Sequence, residues 1–276
     1  MPNSLEGKRI LLGVTGSIAC YKGADLASKL VQAGALVDVV LTRAAAQFIT
    51  PLTFRSLTGR PLLTDLFDPA SEAALAHVEW GMSAELAVVA PATANFIAKY
   101  ALGLADDALT TTLLACRAPV LVAPAMDAGM FEHPTVQENL ERLGARGVHI
   151  VGPVQGRLAS GLTGWGRMVE PQVILEHCRW VLGRKGDLAG YSVVVSAGGT
   201  QEPLDPVRLL TNRSSGKMGY ALAEAARDRG ARVTLVSAST ALPDPVGVEV
   251  VRVGTALEMA EAGVKACPGA HVLLMA

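Results

Sequence analysis

Arg9-Ile-Leu-Leu-Gly-Val-Thr-Gly-Ser-Ile-Ala-Cys20 decides the fold class of this chain. Arg9 to Val14 is a short apolar run without polar alternation, as expected of a strand buried on both faces. Gly13-Val-Thr-Gly-Ser17 follows with small side chains only. Next, Ala19, Gly23, Leu26, Leu30 and Ala33 recur at spacings of four and three, one stripe of a helix. Gly34 reads as its C′ stop, and Val37-Asp-Val-Val-Leu41 as the next strand. Strand, turn, helix and strand within about 35 residues make one βαβ unit.

Outward from that unit the same alternation continues. Strands are expected at Leu86–Ala90, Val120–Ala123 and Val148–Val151, and helices at Ala94–Tyr100, Asp107–Cys116 and Thr135–Ala145. Gly152 to Gly166 is glycine-rich and without periodicity, hence a long loop, and such loops in compact domains are usually functional. A helix from Val173 to Leu182 closes a first domain, 1–183, and 184–190 reads as a linker. The pattern then restarts over 191–276: a strand at Tyr191–Ser196, a Gly198-Gly199 turn, and a helix with Met218, Leu222 and Ala225 on one face. A strand at Arg232–Val236, a helix at Thr255–Val264 and a final strand at His271–Ala276 follow. The fold class is α/β, a flavodoxin-like or Rossmann-like parallel sheet flanked by helices, followed by part of a second Rossmann-like domain.

Composition narrows the function classes. The chain has 276 residues, 50% hydrophobic and 18% charged, with a net charge of -1. That balance supplies no general basic surface, so nucleic acid is not an expected partner. No apolar run approaches the roughly 20 residues of a membrane span. Met1 to Lys8 carries no secretory h-region. The four cysteines, Cys20, Cys116, Cys178 and Cys267, are scattered and form no C-x-x-C pair, so neither a disulfide framework nor a metal site is expected and a cytoplasmic setting fits.

Four segments carry possible chemistry. Gly13 to Ser17 leaves backbone N–H groups at a helix N-terminus free for a phosphate, or is simply a tight turn. The spacing G-x-G-x-x-G is absent. Pro91-Ala-Thr-Ala-Asn95 and Pro124-Ala-Met-Asp127 each follow a strand, where open α/β sheets bind ligands; Thr93, Asn95 and Asp127 serve equally as helix caps. Asn212-Arg-Ser-Ser-Gly-Lys217 has only part of a P-loop, with Thr211 and Met218 at positions that need Gly and Ser or Thr. His77 stands alone, structural or catalytic.

Taken together, Gly13-Val-Thr-Gly-Ser-Ile-Ala19, His77, Ala90-Pro-Ala-Thr-Ala-Asn95, Gly103-Leu-Ala-Asp-Asp107 and Pro124-Ala-Met-Asp127 resemble, in order, the flavin-containing cysteine decarboxylases. Ala197-Gly-Gly-Thr-Gln-Glu-Pro-Leu-Asp-Pro-Val-Arg208 and Thr211-Asn-Arg-Ser-Ser-Gly-Lys-Met-Gly219 resemble the phosphopantothenate–cysteine ligase half of the bifunctional coenzyme A biosynthesis proteins. The resemblance implies FMN held by Gly16, Ser17, Ile18, Thr42, Thr93, Ala94, Asn95, Phe96 and Ala125. It implies decarboxylation of 4′-phosphopantothenoylcysteine to 4′-phosphopantetheine, with His77 as the acid/base at the thiol and Met126 and Asp127 on the substrate. Two positions depart from the commonest family pattern: Asp127 stands for an asparagine, and Ser160, in Leu158-Ala-Ser-Gly161, for the proton-donating cysteine. Asn212 matches the ligase residue that contacts the acyl-cytidylate. The ligase-like half reaches only Ala276, so the CTP and Mg2+ of a complete ligase half are not expected to find their full site here. The family assembles as homotrimers or dodecamers with flavin between subunits. Competing expectations are a related peptidyl-cysteine decarboxylase, a flavin prenyltransferase, or a non-catalytic regulatory subunit of the same fold.

Overall fold

Six parallel strands organise the N-terminal part of the chain. In a computed structural model, which describes residues 4–66 and 76–276, the order begins β1 (Arg9–Val14), α1 (Cys20–Gln32), β2 (Leu36–Leu41), α2 (Pro51–Thr58), β3 (Leu62–Leu63) and α3 (Ala76–Ser83). It continues with β4 (Leu86–Ala92), α4 (Ala94–Leu102), α5 (Ala108–Ala115), β5 (Val120–Pro124), α6 (Ala128–Phe131), α7 (Pro134–Ala145) and β6 (His149–Ile150). Met1 to Asn3, which begin the stretch without a secretory h-region, lie outside the described residues. The sheet order is β3-β2-β1-β4-β5-β6. The chain winds outward from β1 to β3, then crosses back to β4 on the other side of β1. That reversal makes a crevice between the C-terminal ends of β1 and β4, the usual ligand position in such sheets.

The residues explain the order. β4 and β5 are buried along their whole length, and β1 is buried after its first residue, so none alternates in polarity. Of the expected α1 stripe, Gly23, Leu26 and Leu30 are buried. Gly34 has φ +83° and ends the helix as expected, its N–H donating to Val31 O at 2.9 Å. Gly23 matters for another reason: a Cβ there would sit 2.8 Å from Ala90 O, so only hydrogen lets α1 lie this close to β4. Asp38 is buried in β2 and accepts from Arg9 Nε at 2.6 Å and Arg60 Nε at 2.7 Å, a carboxylate paired from both sides.

The stretch 152–166 is not the structureless loop that its composition suggests. β7 (Val154–Arg157) and β8 (Thr163–Arg167) form an antiparallel hairpin. Most of their side chains face solvent and Gly156, Gly164 and Gly166 interrupt them, so no apolar period marks the strands. Gly166 has φ +135°, and a Cβ on it would fall 2.2 Å from Met126 O. The hairpin therefore meets the segment after β5 backbone to backbone, with Met126 N–H donating to Gly166 O at 3.0 Å.

The structure divides into two compact units, Met1–Cys178 and Arg179–Ala276, at a point inside α8 (Pro171–Gly183). The second contains β9 (Ser192–Ala197), a hairpin of β10 (Gln201–Pro203) and β11 (Leu209–Thr211), α9 (Lys217–Asp228), β12 (Arg232–Ser237), β13 (Glu249–Arg252), α10 (Ala256–Ala266) and β14 (Val272–Leu274). Its parallel sheet runs β13-β12-β9-β14. The stretch 184–190 is held to this unit: Arg229 Nη2 reaches Asp187 Oδ2 at 2.6 Å and Leu188 N–H donates to Arg229 O at 2.9 Å.

Of the face expected for α9, Leu222 packs partly buried against the core of the unit, but Met218 does not. Met218 is 66% exposed, while Gly219, Tyr220, Ala223, Ala226 and Arg227 are buried. A Cβ on Gly219 would lie 2.5 Å from Ser196 O. The helix packs on the sheet through its smallest residue, which carries no hydrophobic signal.

Candidate functional site

At the C-terminal ends of β1 and β5 lies a cavity of about 440 Å3, lined by Ser17, Ile18, Lys22, Asp127, Arg157 and Arg167 among others. It sits beside the topological switch point, with the β7–β8 hairpin as one wall. A larger cavity of about 700 Å3 lies in the second unit. It is lined by residues of β9, β12, β13 and α10, none of them in the segments 197–208 and 211–219 that carry the motifs. Motif and geometry coincide only at the smaller one.

Thr15 joins the two sides of the crevice. Its Oγ1 donates to Pro91 O at 2.8 Å and accepts from Thr93 N–H at 3.0 Å, locking the end of β1 to the end of β4. Thr93 in turn caps α4, accepting from Phe96 N–H. Ala94 and Asn95 open that helix, with Asn95 exposed. Phe96 follows in the first turn of α4, its side chain buried in the core and stacked on Tyr100 at 5.7 Å between ring centroids. Thr42, just past β2, donates its N–H to Val14 O at 3.1 Å and accepts from Ala45 N–H through Oγ1. Gly16 lies against this segment; a Cβ would meet Ala44 Cβ at 2.5 Å.

The turn itself is open to a ligand. α1 begins after Ala19 with no side-chain cap, and the Ser17 hydroxyl accepts from Ala19 N–H at 3.2 Å. The Cys20 and Lys22 N–H groups are engaged within the turn, by Ser17 O and Ala19 O, so what the 13-residue helix offers an anion here is the positive end of its dipole beside Ser17 and Ile18. Cys20, buried just behind, donates to Thr15 O, and burial pushes its thiol pKa up, which keeps it protonated and inert.

Across the cavity, Ala125 and Met126 follow β5, Ala125 buried with its N–H donating to Ala92 O at 2.9 Å. Asp127 is both cap and site residue: Oδ1 accepts from Gly129 N–H at the start of α6, and Oδ2 accepts from Ser160 Oγ at 2.5 Å. Ser160 belongs to the hairpin tip, so a contact spanning 33 residues joins the two departures noted in the sequence. Lys22, buried on α1, donates to Met168 O at 2.8 Å and Glu170 Oε1 at 2.9 Å, tying the base of the hairpin to α1. Hydrogen bonding from Lys22 holds the Glu170 carboxyl below the ordinary carboxylate range. No sequence signal marks Lys22, Arg157 or Arg167 as cavity residues, because folding alone brings together segments more than 100 positions apart.

His77 is in the first turn of α3 and does not line this cavity. Asn212 lies in the second unit, where its Oδ1 accepts from Ser214 N–H at 2.8 Å and would be 2.7 Å from a Cβ on Gly199. It therefore faces the Gly198-Gly199 turn at the end of β9. Among the described residues no group of three or more His, Cys, Asp or Glu is placed to hold a metal, and no helix is long and apolar enough to cross a membrane.

Comparison with known proteins decides the family. The profile of the flavoprotein family matches residues 1–182. The chain belongs to the flavoprotein family. A second profile, that of the DNA/pantothenate metabolism flavoprotein C-terminal domain, matches residues 188–276. This flavoprotein is 50% identical over 262 residues to the coenzyme A biosynthesis bifunctional protein CoaBC of Vibrio cholerae, covering 95% of this chain and 65% of that one. The CoaBC of Mycobacterium bovis is 46% identical over 98% of this chain and 65% of its own. The flavoprotein thus spans about 65% of the length of these relatives. Among solved structures, a PPC decarboxylase mutant complexed with pantothenoylaminoethenethiol aligns with TM-score 0.56 and 32% identity, over 63% of this chain and 97% of that chain. The FMN-dependent cysteine decarboxylase SpaF aligns with TM-score 0.52 and 36% identity, over 59% and 91%.

Proposed function

We propose that this flavoprotein binds FMN and decarboxylates 4′-phosphopantothenoylcysteine to 4′-phosphopantetheine in coenzyme A biosynthesis. One observation carries the reading: the β1–α1 turn, the segment after β5 and residues 157–159 of the hairpin, far apart in sequence, converge on a single cavity beside the switch point, with Ser160 bonded to Asp127 of its lining. The relatives' names point to the same chemistry.

The residues fit the cofactor. The backbone at Ser17 and Ile18, at the positive end of α1, suits its phosphate, and Gly16 keeps that turn flush against residue 44. Thr42, Thr93, Ala94, Asn95, Phe96 and Ala125 are the further holding residues, Phe96 with its side chain in the core at the start of α4. Bound FMN supplies a reversible hydride acceptor, so that electrons borrowed from the cysteine moiety can be returned after CO2 leaves.

The overall reaction exchanges a carboxylate for hydrogen and therefore takes up one proton per turnover. The Ser160 hydroxyl, bonded to Asp127, stands at the cavity to deliver that proton, with Met126 beside it against the substrate. Asp127, which accepts from Ser160, is a proton-handling partner on the substrate side of the cavity. His77 acts at the thiol. Because His77 does not line the cavity of its own chain, it serves that of a neighbouring copy in a homotrimer or dodecamer. Residues 191–276 are the N-terminal part of a phosphopantothenate–cysteine ligase domain joined through 184–190 to the decarboxylase domain 1–183. Asn212 and the Gly198-Gly199 turn are its acyl-cytidylate contact, and CTP with Mg2+ belongs to a complete ligase half.

The test is anaerobic mixing of the purified, FMN-loaded chain with 4′-phosphopantothenoylcysteine, following CO2 and product mass. Equimolar CO2 and 4′-phosphopantetheine are expected. A yellow protein that yields neither would refute the activity, and a chain that cannot be loaded with FMN would refute the cofactor.

A further inference from the structure

The charges around the cavity of the first unit are unequally engaged. Lys22 and Arg167 both donate to Glu170 Oε1, each at 2.9 Å. Asp127 is committed to Ser160 and to the start of α6. Arg157, the last residue of β7 and paired across the hairpin with Thr163, lines the same cavity, yet its guanidinium makes no hydrogen bond or ion pair with any described residue.

An incoming anion gains most where a cation has no counter-ion to be displaced. A guanidinium fork also matches the tetrahedral oxygens of a phosphate monoester better than a point charge does. The substrate proposed above has two anionic groups, the reacting carboxylate and a remote phosphate. An arginine on the carboxylate would stabilise the ground state against loss of CO2 and slow the reaction; one on the phosphate binds a part of the substrate that does not react, equally in ground and transition states. Ser160 lies three residues further along the hairpin, at most roughly 10 Å of extended chain away, so one arm of the hairpin holds both an anchor and a proton-handling group.

We propose that Arg157 takes the phosphate of the substrate and sets selectivity for the phosphorylated over the dephosphorylated compound. The inference rests on the decarboxylase reading. The experiment uses the FMN-loaded full chain and compares KM and kcat for 4′-phosphopantothenoylcysteine and pantothenoylcysteine in wild type, R157Q and R157K, with the flavin content of each variant from its visible spectrum.

For R157Q the KM for the phosphorylated substrate rises about tenfold, the scale of one charge-assisted hydrogen bond at a solvent-facing position. Its KM for the dephosphorylated substrate, both kcat values and the flavin content are unchanged, and R157K regains most of the loss. Equal rises for both substrates would assign Arg157 to the carboxylate and overturn the inference, as would no rise at all. Loss of FMN from R157Q, with the substrate KM values unmoved, would assign it to the flavin phosphate instead. Wild type that holds FMN but turns over neither substrate overturns the decarboxylase reading, and the inference falls with it.

Discussion

The two units share a winding order but not its use. Read from the central strand, β3-β2-β1-β4 and β13-β12-β9-β14 are the same outward-and-return path. In the first unit the sheet continues to β5 and β6, and a hairpin 30 residues beyond β5 returns to wall a cavity at the strand ends. In the second, the hairpin follows β9 directly and its apolar residues face outward, with Leu204 64% and Val207 90% exposed. One topology thus gives a site walled by a hairpin in one place and an open turn, Gly198-Gly199 against Asn212, in the other. The strand order locates a site; the connections after the strands decide what it can hold.

The largest effect expected concerns this division of labour. If decarboxylation belongs wholly to the first unit, H77N lowers turnover by roughly 10²–10⁴-fold, the scale of lost acid/base catalysis, and keeps its flavin spectrum. N212A leaves CO2 release unchanged. A matching loss in N212A, measured by CO2 evolution, would break the comparison. D127N and S160A are each expected to lose about tenfold or more, and the double variant no more than the worse single, since the two share one hydrogen bond.

Packing offers a symmetrical test of intermediate size. Gly23 on α1 and Gly219 on α9 each allow a helix to touch strand backbone, with virtual Cβ distances of 2.8 Å to Ala90 O and 2.5 Å to Ser196 O. G23A and G219A are each expected to cost about 1–3 kcal/mol by overpacking, each in its own unit. Limited proteolysis and thermal melts read which unit loosens. A G219A variant that loosens only the first unit would show that the units are not separately packed.

These glycines also mark what the sequence makes legible. The βαβ unit from Arg9 to Leu41 can be read because its core-facing residues are large and periodic. Ser17, Ile18, Ala125 and Asp127 can be read as site positions because they follow strands. Reading fails where the decisive group has no hydrophobic signature: Gly219 under α9, the solvent-facing strands Val154–Arg157 and Thr163–Arg167, and Lys22, which reaches Met168 across 146 residues. Strand-end position finds one wall of a cavity; only the folded chain supplies the other.

The smallest effect expected separates the units by pH. Glu170 in the first unit and Glu258 in the second both have depressed carboxyl pKa values, Glu170 through Lys22 and Glu258 through the N–H groups of Gly254 and Thr255. A carboxyl whose folded pKa lies below its unfolded value stabilises the fold fully above the unfolded value, near 4.3, and loses that contribution as pH falls through the folded one. Acidification below about pH 4 therefore weakens the tie from Glu170 to Lys22 at the base of the hairpin. Because the Glu170 side chain is 57% exposed, the tie contributes no more than about 0.5 kcal/mol. E170Q removes it at neutral pH, leaving Lys22 its bond to Met168 O. Amide exchange in β7 and β8 should be faster in E170Q than in wild type at pH 7, and the two should converge as pH falls through the depressed folded value of Glu170. E258Q, acting at the capping box of α10, should leave exchange in the hairpin untouched. Hairpin exchange that is independent of both Glu170 and pH would mean that Gly166 against Met126 O holds the wall of the cavity by itself.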